Sequence, residues 1–298
     1  CVELTGTSAV NMDGFTITKG KASDYGGGLK ITSTGTVNLN NLLINSNQGA
    51  DKGGGVYIGE NSKVTIDACK IYSNESATHG GGLSNHSLNT IIKNTLMYRN
   101  ETSGYDGGAI STEAPLVLIN STIANNTIPD GRYGGAMAIG TGLDSVLIFN
   151  TVFYNNKNIS HYNGTTYGST NGIYISNGKL VSFNNYLMSE EGSDLTIKRG
   201  YNNIFSNTDP FTDVSSNDYT LKNNSALLGV GVSSVVFDGV TYSAPSVDIN
   251  GNARPSPSGT KPDIGAYETL TVPDVTAPTM TITATDGSNE ISDGATTN

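Results

Sequence analysis

The chain of 298 residues contains no tryptophan, only two cysteines and few charged residues, which make up 14% of the sequence. Cysteine pairing therefore supplies no information on the fold, and Cys69 is interpreted as a small buried side chain. No stretch approaches the roughly 20 apolar residues of a membrane-spanning helix, so we expect no membrane insertion. The net charge of −10 disfavours nucleic acid as a partner, because this surface would repel its phosphates.

A triplet of small residues followed by an aliphatic residue recurs every 27 residues. The five copies are Gly26-Gly27-Gly28-Leu29, Gly53-Gly54-Gly55-Val56, Gly80-Gly81-Gly82-Leu83, Gly107-Gly108-Ala109-Ile110 and Gly134-Gly135-Ala136-Met137. A fixed period of this length is typical of stacked-repeat proteins, in which each repeat buries its apolar face only against its neighbours. Cys1 lies one period before Gly28, so we expect the sequence to begin inside a coil of a longer polypeptide.

Apolar residues alternate with polar ones within each period, which indicates strands rather than helices. We expect three short strands per coil, with a corner where the alternation breaks between Leu39 and Leu42. The first strands should place one column of side chains inside the coil: Leu29, Val56, Leu83, Ile110, Met137 and Ile173. The length allows about seven to eight such coils and a C-terminal extension.

Asparagines recur at two places in the period. One column lies at the mid-repeat corner (Asn41, Asn94, Asn120, Asn150), and the other ends the third strand (Asn47, Asn74, Asn100, Asn126, Asn156). Asparagine tolerates left-handed backbone at a bend, and stacked amides hydrogen-bond along the coil axis. The sequence therefore predicts asparagine ladders in both columns.

The repeat fails after Asn156, where residues 157–171 form an insertion that we expect to be a surface loop. From about Pro210 the pattern is no longer periodic. The segment from Asn207-Thr208-Asp209-Pro210-Phe211 to Asp263-Ile264-Gly265-Ala266-Tyr267-Glu268 resembles the C-terminal signature of bacterial secreted and surface parallel β-helix proteins of the choice-of-anchor type, with pectate-lyase-like repeats. The Gly-Gly-[Gly/Ala]-aliphatic motif also resembles the repeats of polymorphic outer-membrane proteins.

This resemblance implies an all-β fold, a right-handed parallel β-helix or β-solenoid, exported to the cell surface or exterior. It does not imply one activity, since such helices host lyases, hydrolases and adhesins. We assign residues 1–209 to the β-helix and residues 210–268 to a non-repeating extension that packs on it. Residues 269–298 resemble a linker and the start of a bacterial immunoglobulin-like domain.

The residues in front of the glycine triplets should project from one edge of the solenoid at successive turns. With two tyrosines of the insertion they form the predicted binding edge: Tyr25, Lys52, His79, Asp106, Tyr133, Tyr162 and Tyr167. A subset has the residue types with which a polysaccharide lyase abstracts a proton beside a uronate and neutralises its carboxylate: Lys52, His79, Tyr105 and Arg132. Solvated loop side chains without a function are the plainer interpretation.

Asp248-x-Asn250-x-Asn252 presents oxygen ligands at alternate positions around a glycine, as at the start of a calcium loop. The downstream glutamate of an EF-hand is missing. The alternative is an Asx-rich turn in which Arg254 pairs with Glu268. Calcium is thus the one cofactor for which the sequence offers a candidate site, and none is required by the fold.

Two functions of different classes remain open at this stage. One is a non-catalytic extracellular surface module, adhesive, structural or glycan-binding, whose partners are a polysaccharide or surface partner and further domains of the same parent chain. The other is a polysaccharide lyase acting on a uronate-containing polymer. The even repeat and the missing acid/base pair favour the first.

A departure from the alternating pattern in the second strand predicts that the outer face of these strands is covered. The outward positions of the second strand are polar at Asn38 and Thr65 but apolar later, at Ile91, Val117 and Leu147. Ile119 and Phe149 add apolar area at the adjoining corner. A strand that is apolar on both faces is normally buried on both, so we expect the extension, with Leu227, Leu228, Val230, Val235, Val236 and Phe237, to pack there. The alternative cover is a partner protein or a neighbouring domain of the parent chain.

Overall fold

A computed structural model describes residues 1–129, 132–140, 146–162, 165–169, 172–175, 180–188, 199–270, 284–285 and 290–291. For residues 158–169, 199–201 and those after 270 the description covers the backbone alone. Apart from one 3₁₀ turn at Val214–Ser216, all regular structure in these ranges is β-strand. The expected all-β class is therefore confirmed.

The strands follow one another in short steps around a coil. The first five turns contain β1 (Val2–Leu4), β2 (Val10–Asp13), β3 (Thr16–Thr18), β4 (Lys21–Ala22), β5 (Leu29–Ile31), β6 (Thr36–Asn40), β7 (Leu43–Asn45), β8 (Gln48–Gly49), β9 (Val56–Ile58), β10 (Lys63–Asp67), β11 (Lys70–Tyr72), β12 (Glu75–Ser76), β13 (Leu83–Asn85), β14 (Asn89–Lys93), β15 (Leu96–Tyr98), β16 (Glu101–Thr102), β17 (Ile110–Thr112), β18 (Leu116–Ile119), β19 (Thr122–Ala124) and β20 (Thr127–Ile128).

The later strands belong to irregular turns, the extension and the C-terminal segment. They are β21 (Met137–Ile139), β22 (Val146–Phe149), β23 (Val152–Tyr154), β24 (Lys157–Tyr162), β25 (Thr165–Ser169), β26 (Ile173–Ile175), β27 (Leu180–Phe183), β28 (Tyr186–Leu187), β29 (Arg199–Tyr201), β30 (Ile204–Phe205), β31 (Phe211–Asp213), β32 (Asp218–Leu221), β33 (Ser234–Phe237), β34 (Val240–Ser243), β35 (Ala284–Thr285) and β36 (Glu290–Ile291).

Four parallel sheets run along the coil axis. Sheet A is β1-β5-β9-β13-β17-β21-β26, sheet B is β2-β6-β10-β14-β18-β22-β27-β29, and sheet C is β3-β7-β11-β15-β19-β23-β28-β30. Sheet D is β4-β8-β12-β16-β20-β24-β25, in which only β24 and β25 pair antiparallel. Each regular turn thus has four strands, not the expected three, because the chain before each glycine triplet also pairs for two residues. Five turns are complete and regular, which is fewer than the expected seven to eight coils. The sheets reach seven or eight strands because they continue into irregular turns.

The expected inward column is confirmed by the register of sheet A. Leu29 pairs with Val56, and the same one-turn offset continues through Leu83 and Ile110 to Met137. These side chains have no exposed area and belong to one core cluster that fills the solenoid. Burial of this continuous apolar column is the main stabilising term of the coil.

The glycine triplet is required by the tight corner between sheets D and A. Gly80 has a positive φ of 66°, which L-residues rarely adopt. A Cβ on Gly81 would lie 2.2 Å from the carbonyl oxygen of Glu101 in the next turn. The first glycine of each triplet is therefore required by its left-handed backbone, and the second by close contact with the next turn. These two requirements explain why the glycines recur once per period.

The strand-end asparagines form the expected ladder. The Nδ2 atom of Asn74 donates to Oδ1 of Asn100 over 3.0 Å, and Nδ2 of Asn100 donates to Oδ1 of Asn126 over 3.0 Å. Asn47 and Asn156 continue the ladder at its two ends. All five side chains are buried, so each amide depends on its neighbours for hydrogen bonds.

The corner asparagines form only part of the expected ladder. Asn94, Asn120 and Asn150 have the expected left-handed backbone, with φ of 47°, 40° and 51°. Nδ2 of Asn150 donates to Oδ1 of Asn120 over 3.1 Å, which is one step of the expected ladder. The Nδ2 atoms of Asn94, Asn120 and Asn150 also donate to backbone carbonyls of the extension, namely those of Val247, Asp263 and Val232. A left-handed corner directs these amides outward, where the extension lies.

The extension covers sheets B and C. The hairpin of β33 and β34 packs on sheet B, where Val235 and Phe237 share an apolar cluster with Leu147 and Phe149. Leu147 is fully buried and Val117 is half-buried. Val236 is 69% exposed, contrary to the expected burial, because alternate residues of β33 point to opposite faces.

A second cluster lies between the extension and sheet C. Its members are Leu96, Ala124, Val152, Tyr186, Phe211, Tyr219, Leu221, Leu227, Ile249, Ile264, Ala266 and Tyr267. Sheet A receives no such cover among the described residues, since none of its outward side chains belongs to these clusters. The outer face of sheet A is therefore not covered by the extension.

Candidate functional site

The outward column of sheet A changes in size along the axis. Paired residues in successive turns are Lys30, Tyr57, Ser84, Ser111, Ala138 and Tyr174. The three small residues form a depressed floor between two tyrosines. Because adjacent turns are about 4.8 Å apart, the tyrosines stand roughly 19 Å from each other along the axis.

The predicted edge lies along the margin of sheet A that precedes its strands. Backbone N–H groups of the triplets bond to the carbonyls of this row one turn later, as from Gly53 to His79 (3.0 Å), Gly80 to Asp106 (3.2 Å) and Gly107 to Tyr133 (3.1 Å). These bonds hold one edge residue per turn at a constant offset. The structure thus brings together Tyr25, Lys52, His79, Asp106 and Tyr133 in one row.

A groove of about 380 Å³ lies between the two margins of sheet A. His79 and Asp106 form one wall and Glu113 the other, above the floor of Ser111 and Ala138. Its remaining lining residues are Ile139, Gly140 and Tyr174. The groove is therefore lined by an imidazole, two carboxylates and one aromatic ring.

A polar network joins the two margins beside the groove. The Lys52 ammonium lies 2.9 Å from Oε1 of Glu113, and Nδ1 of His86 lies 3.3 Å from Oε2 of the same carboxylate. Nε2 of His86 in turn lies 3.2 Å from Oγ of Ser84. Both oxygens of Glu113 are thus held, and its carboxylate is fixed in position.

Aromatic side chains of the edge are stacked in pairs. Tyr105 stacks on His79 with ring centroids 5.1 Å apart, and the Arg132 guanidinium lies 4.4 Å from the Tyr105 ring. Tyr133 stacks on Tyr174 at 4.4 Å. Cation–π and stacking contacts of this kind hold exposed rings in defined orientations.

His79 is the half-buried centre of the candidate lyase set. Burial and then the charge of Lys52 lower the pKa of its imidazole, so it is neutral at pH 7. Its Nδ1 atom is buried and makes no hydrogen bond among the described residues. The structure therefore groups Lys52, His79, Tyr105 and Arg132, although Lys52 is engaged by Glu113.

We expect Glu113 to remain ionised down to about pH 2. The hydrogen bond from His86 is the largest cause of its lowered pKa, and Lys52 adds to it against the effect of burial. An unfolded glutamate has a pKa of about 4.3. The stability that the ionised Glu113 gives to the folded state is therefore complete above that pH and is lost as the pH falls towards 2. Carboxyl-carbon NMR measures the titration directly.

A Lys52→Met variant should raise the pKa of Glu113, and a His86→Gln variant should raise it more. An ordinary glutamate titration in the wild-type chain would contradict this assignment of the network.

Sequence reasoning missed four residues of this face. Tyr57 and Tyr174 occupy outward positions of β9 and β26, whose register was known from the glycine period. His86 and Glu113 directly follow β13 and β17 and are 27 residues apart. The same 27-residue period relates His86 to Glu113, so it could have identified this second column of residues. The column lies on the opposite side of the sheet A strands from the predicted edge.

Two predicted binding residues belong to the insertion. Tyr162 lies on β24 and Tyr167 on β25, and the backbone of this hairpin extends sheet D by antiparallel pairing. The insertion is thus an addition to a sheet and not a loop throughout. The side chains of Tyr162 and Tyr167 lie outside the described residues, so their part in a binding edge stays a prediction.

The candidate calcium loop folds as an Asx-rich turn. Oδ1 of Asp248 accepts the backbone N–H groups of Asn250 and Asn252, each over 2.8 Å. Its Oδ2 accepts from Nδ2 of Asn252 and from the backbone N–H of Glu268. The carboxylate is buried and its lone pairs are used by these donors, so the arrangement satisfies itself without a cation. Calcium binding here stays a prediction that the geometry does not support.

The stacked turns and the asparagine ladder define a parallel β-solenoid, and a groove lies on the outer face of its sheet A. The family described as "Right handed beta helix region" matches residues 1–185, and the chain belongs to this family. No curated protein matches the chain in sequence. No helix among the described residues is long and apolar enough to cross a membrane.

Proposed function

We propose that the chain is a module of an exported surface protein and that the groove on sheet A binds a carbohydrate chain. The observation that carries this proposal is the groove itself, in which Asp106, Glu113 and His79 surround a floor of small side chains beside Tyr174. Binding sites commonly combine such a concave surface with a few polar groups that fix orientation. A sugar ring presents C–H groups to an aromatic face and hydroxyl groups to carboxylates, so this combination suits it.

The charges of the face favour a neutral saccharide over a uronate. Lys30 pairs with Asp24 at 2.8 Å, and Lys52 pairs with Glu113 at 2.9 Å. Asp106 remains as a carboxylate in the groove wall, where it would repel an acidic sugar. Each turn of the solenoid contributes one outward residue of sheet A to the groove region. A polymer lying along the solenoid axis would meet equivalent positions in successive turns.

The uronate lyase is the second candidate, since His79 is a neutral imidazole beside a lysine. Such an enzyme needs a cation that neutralises the substrate carboxylate in the transition state. Here the lysine is committed to Glu113, and the guanidinium of Arg132 lies on Tyr105. These contacts favour binding over elimination chemistry.

Calorimetric titration with neutral and uronate oligosaccharides tests the proposal. We expect binding of a neutral chain, weakened by about tenfold in Asp106→Asn and in Tyr174→Ala, as loss of one hydrogen bond or stacking contact would cause. Asp238→Asn, an exposed carboxylate on the extension, is the matched control and should bind normally. Preference for uronates together with release of an unsaturated product would establish the lyase instead.

A further inference from the structure

Three side chains beside the groove are connected in order by two polar contacts. Ser84 lies at an outward position of β13, His86 follows the same strand, and Glu113 follows β17 one turn later. Oγ of Ser84 is 3.2 Å from Nε2 of His86, and Nδ1 of His86 is 3.3 Å from Oε2 of Glu113. The carbohydrate groove does not require this order of groups.

The order fixes the proton positions on the imidazole. An ionised Glu113 only accepts, so the proton of His86 lies on Nδ1 and points to the carboxylate. Nε2 then carries the lone pair and faces the hydroxyl of Ser84. A serine, the Nε2 of a histidine and an acid at its Nδ1 stand in this same relation in the triads of serine hydrolases, which occur on unrelated folds.

Neighbouring residues hold the triad in place. The Lys52 ammonium binds the second oxygen of Glu113 at 2.9 Å, so this carboxylate cannot rotate away without breaking an ion pair. The ring of Tyr57 packs on His86 with centroids 5.2 Å apart. The side chain of His86 is only 12% exposed, which restricts its ring to few orientations. Pre-organisation of this kind is what a triad requires.

We propose that Ser84, His86 and Glu113 form a nucleophile–base–acid triad that hydrolyses short-chain carboxylic esters. Oγ of Ser84 attacks the ester carbonyl carbon while its proton moves to Nε2 of His86. The bond to the alcohol oxygen breaks, and the proton passes from Nε2 to the leaving alcohol. Water then attacks the acyl-serine with His86 as base, and the carboxylic acid is released. Glu113 orients the imidazole and stabilises its cation.

The surroundings restrict the acyl group. Ser84 is nearly buried between Tyr57 of the previous turn and Ser111 of the next, which excludes large acyl groups from Oγ and limits the reaction to a small one such as acetyl. The adjacent groove of about 380 Å³ accepts the alcohol portion. That this alcohol is a sugar hydroxyl rests on the proposed function, whereas the ester chemistry does not.

Hydrolysis of p-nitrophenyl acetate by the whole chain tests the triad without any saccharide. We expect at least a 100-fold lower kcat/KM for Ser84→Ala and for His86→Gln, as in other triads. Glu113→Gln should lower kcat/KM by a similar factor. The amide can donate to Nδ1 of His86, which places the imidazole proton on Nε2, where it can no longer accept the proton of Ser84. Ser103→Ala, an exposed serine outside the site, should retain full activity, and p-nitrophenyl dodecanoate should react much more slowly than the acetate.

A fluorophosphonate reagent followed by peptide mass spectrometry identifies the nucleophile. We expect one adduct, on Ser84, which is absent from Ser84→Ala and formed slowly in His86→Gln, while the melting temperature of Ser84→Ala stays near that of the wild type. Equal hydrolysis by wild type and Ser84→Ala, or an adduct on another residue, would overturn the triad. Saccharide binding by Ser84→Ala separates the two proposals, since loss of the ester chemistry alone leaves that binding intact.

Discussion

Replacing Asn100 by alanine should lower the free energy of unfolding by about 3–5 kcal/mol, since several buried groups lose their partners at once. Oδ1 of Asn100 accepts from the backbone and side-chain nitrogens of Asn74, over 3.1 and 3.0 Å. Its Nδ2 donates to the carbonyl of Ile71 over 2.8 Å. No water can replace these contacts inside the solenoid without opening it, and each unsatisfied group costs about 1–3 kcal/mol.

The surface offers a matched control for the ladder. Nδ2 of Asn38 donates to Oδ1 of Asn11 over 2.7 Å, which is the same pair at the same one-turn offset, but in contact with solvent. Asn11→Ala should change stability by less than about 0.5 kcal/mol, because water takes over the lost bond. Urea unfolding of both variants gives the comparison. If the two changes were equal, the ladder would contribute no more than a surface contact.

Replacing Arg254 by methionine should release the extension at a cost of about 3–5 kcal/mol, as when one partner of a buried ion pair is removed. Its Nε lies 3.3 Å from Oε2 of Glu268, and the two side chains are 1% and 0% exposed. Asp248 and Asp263 are buried nearby. Without the guanidinium, the described part of the chain places no other cation beside these three buried carboxyl groups.

These carboxyl groups also serve as acceptors for the backbone of the extension. Glu268 accepts from the N–H groups of Ser256 and Asp263, and Asp263 accepts from those of Gly229 and Thr269. Loss of the cation therefore weakens a connected loop structure and not a single contact.

The effect of Arg254→Met should grow as the pH rises. Burial, and then the charge of Asp263, raises the pKa of Glu268 to about 7. Because this value lies above that of an unfolded glutamate, about 4.3, the folded state binds more protons and stability falls as the pH rises from there to about 7. Removal of the guanidinium raises this pKa further and extends the loss of stability to higher pH.

Hydrogen exchange over residues 210–268 at pH 5 and pH 8 measures this effect. Lys222→Met is the matched control, since its pair with Asp209 at 3.2 Å lies in the same extension but is about one-third exposed. We expect little change for that variant. Exchange in Arg254→Met that matches the control at both pH values would show that the buried cluster does not hold the extension.

The repeat made most of the solenoid predictable from the sequence. The glycine triplets mark corners where a Cβ would collide with the next turn, so their spacing reports the length of a turn directly. Residues at equal positions in the period then had to stack, and the columns from Leu29 and from Asn47 do so. The two-residue strands of sheet D escaped prediction because they carry no periodic apolar residue.

The site was less predictable because it depends on contacts between turns. Lys52 and Glu113 are 61 residues apart and meet only when the second column of sheet A is aligned with the first. The corner asparagines were expected to bond along the axis, and Asn150 does donate to Asn120, but this column also donates to carbonyls of the extension. Neither partner choice follows from the local sequence, since the first depends on how the turns align and the second on the extension that packs outside the coil.

Tyrosine-ring NMR tests most directly whether the open face of sheet A binds a carbohydrate chain. Addition of a neutral oligosaccharide to the ¹³C-tyrosine-labelled chain should shift the signals of Tyr133 and Tyr174 in a saturable way. Tyr72 and Tyr98, which stack on each other at 4.8 Å on sheet C, should not respond. Saturable shifts of Tyr72 and Tyr98 without any change at Tyr133 and Tyr174 would contradict the assignment of this face.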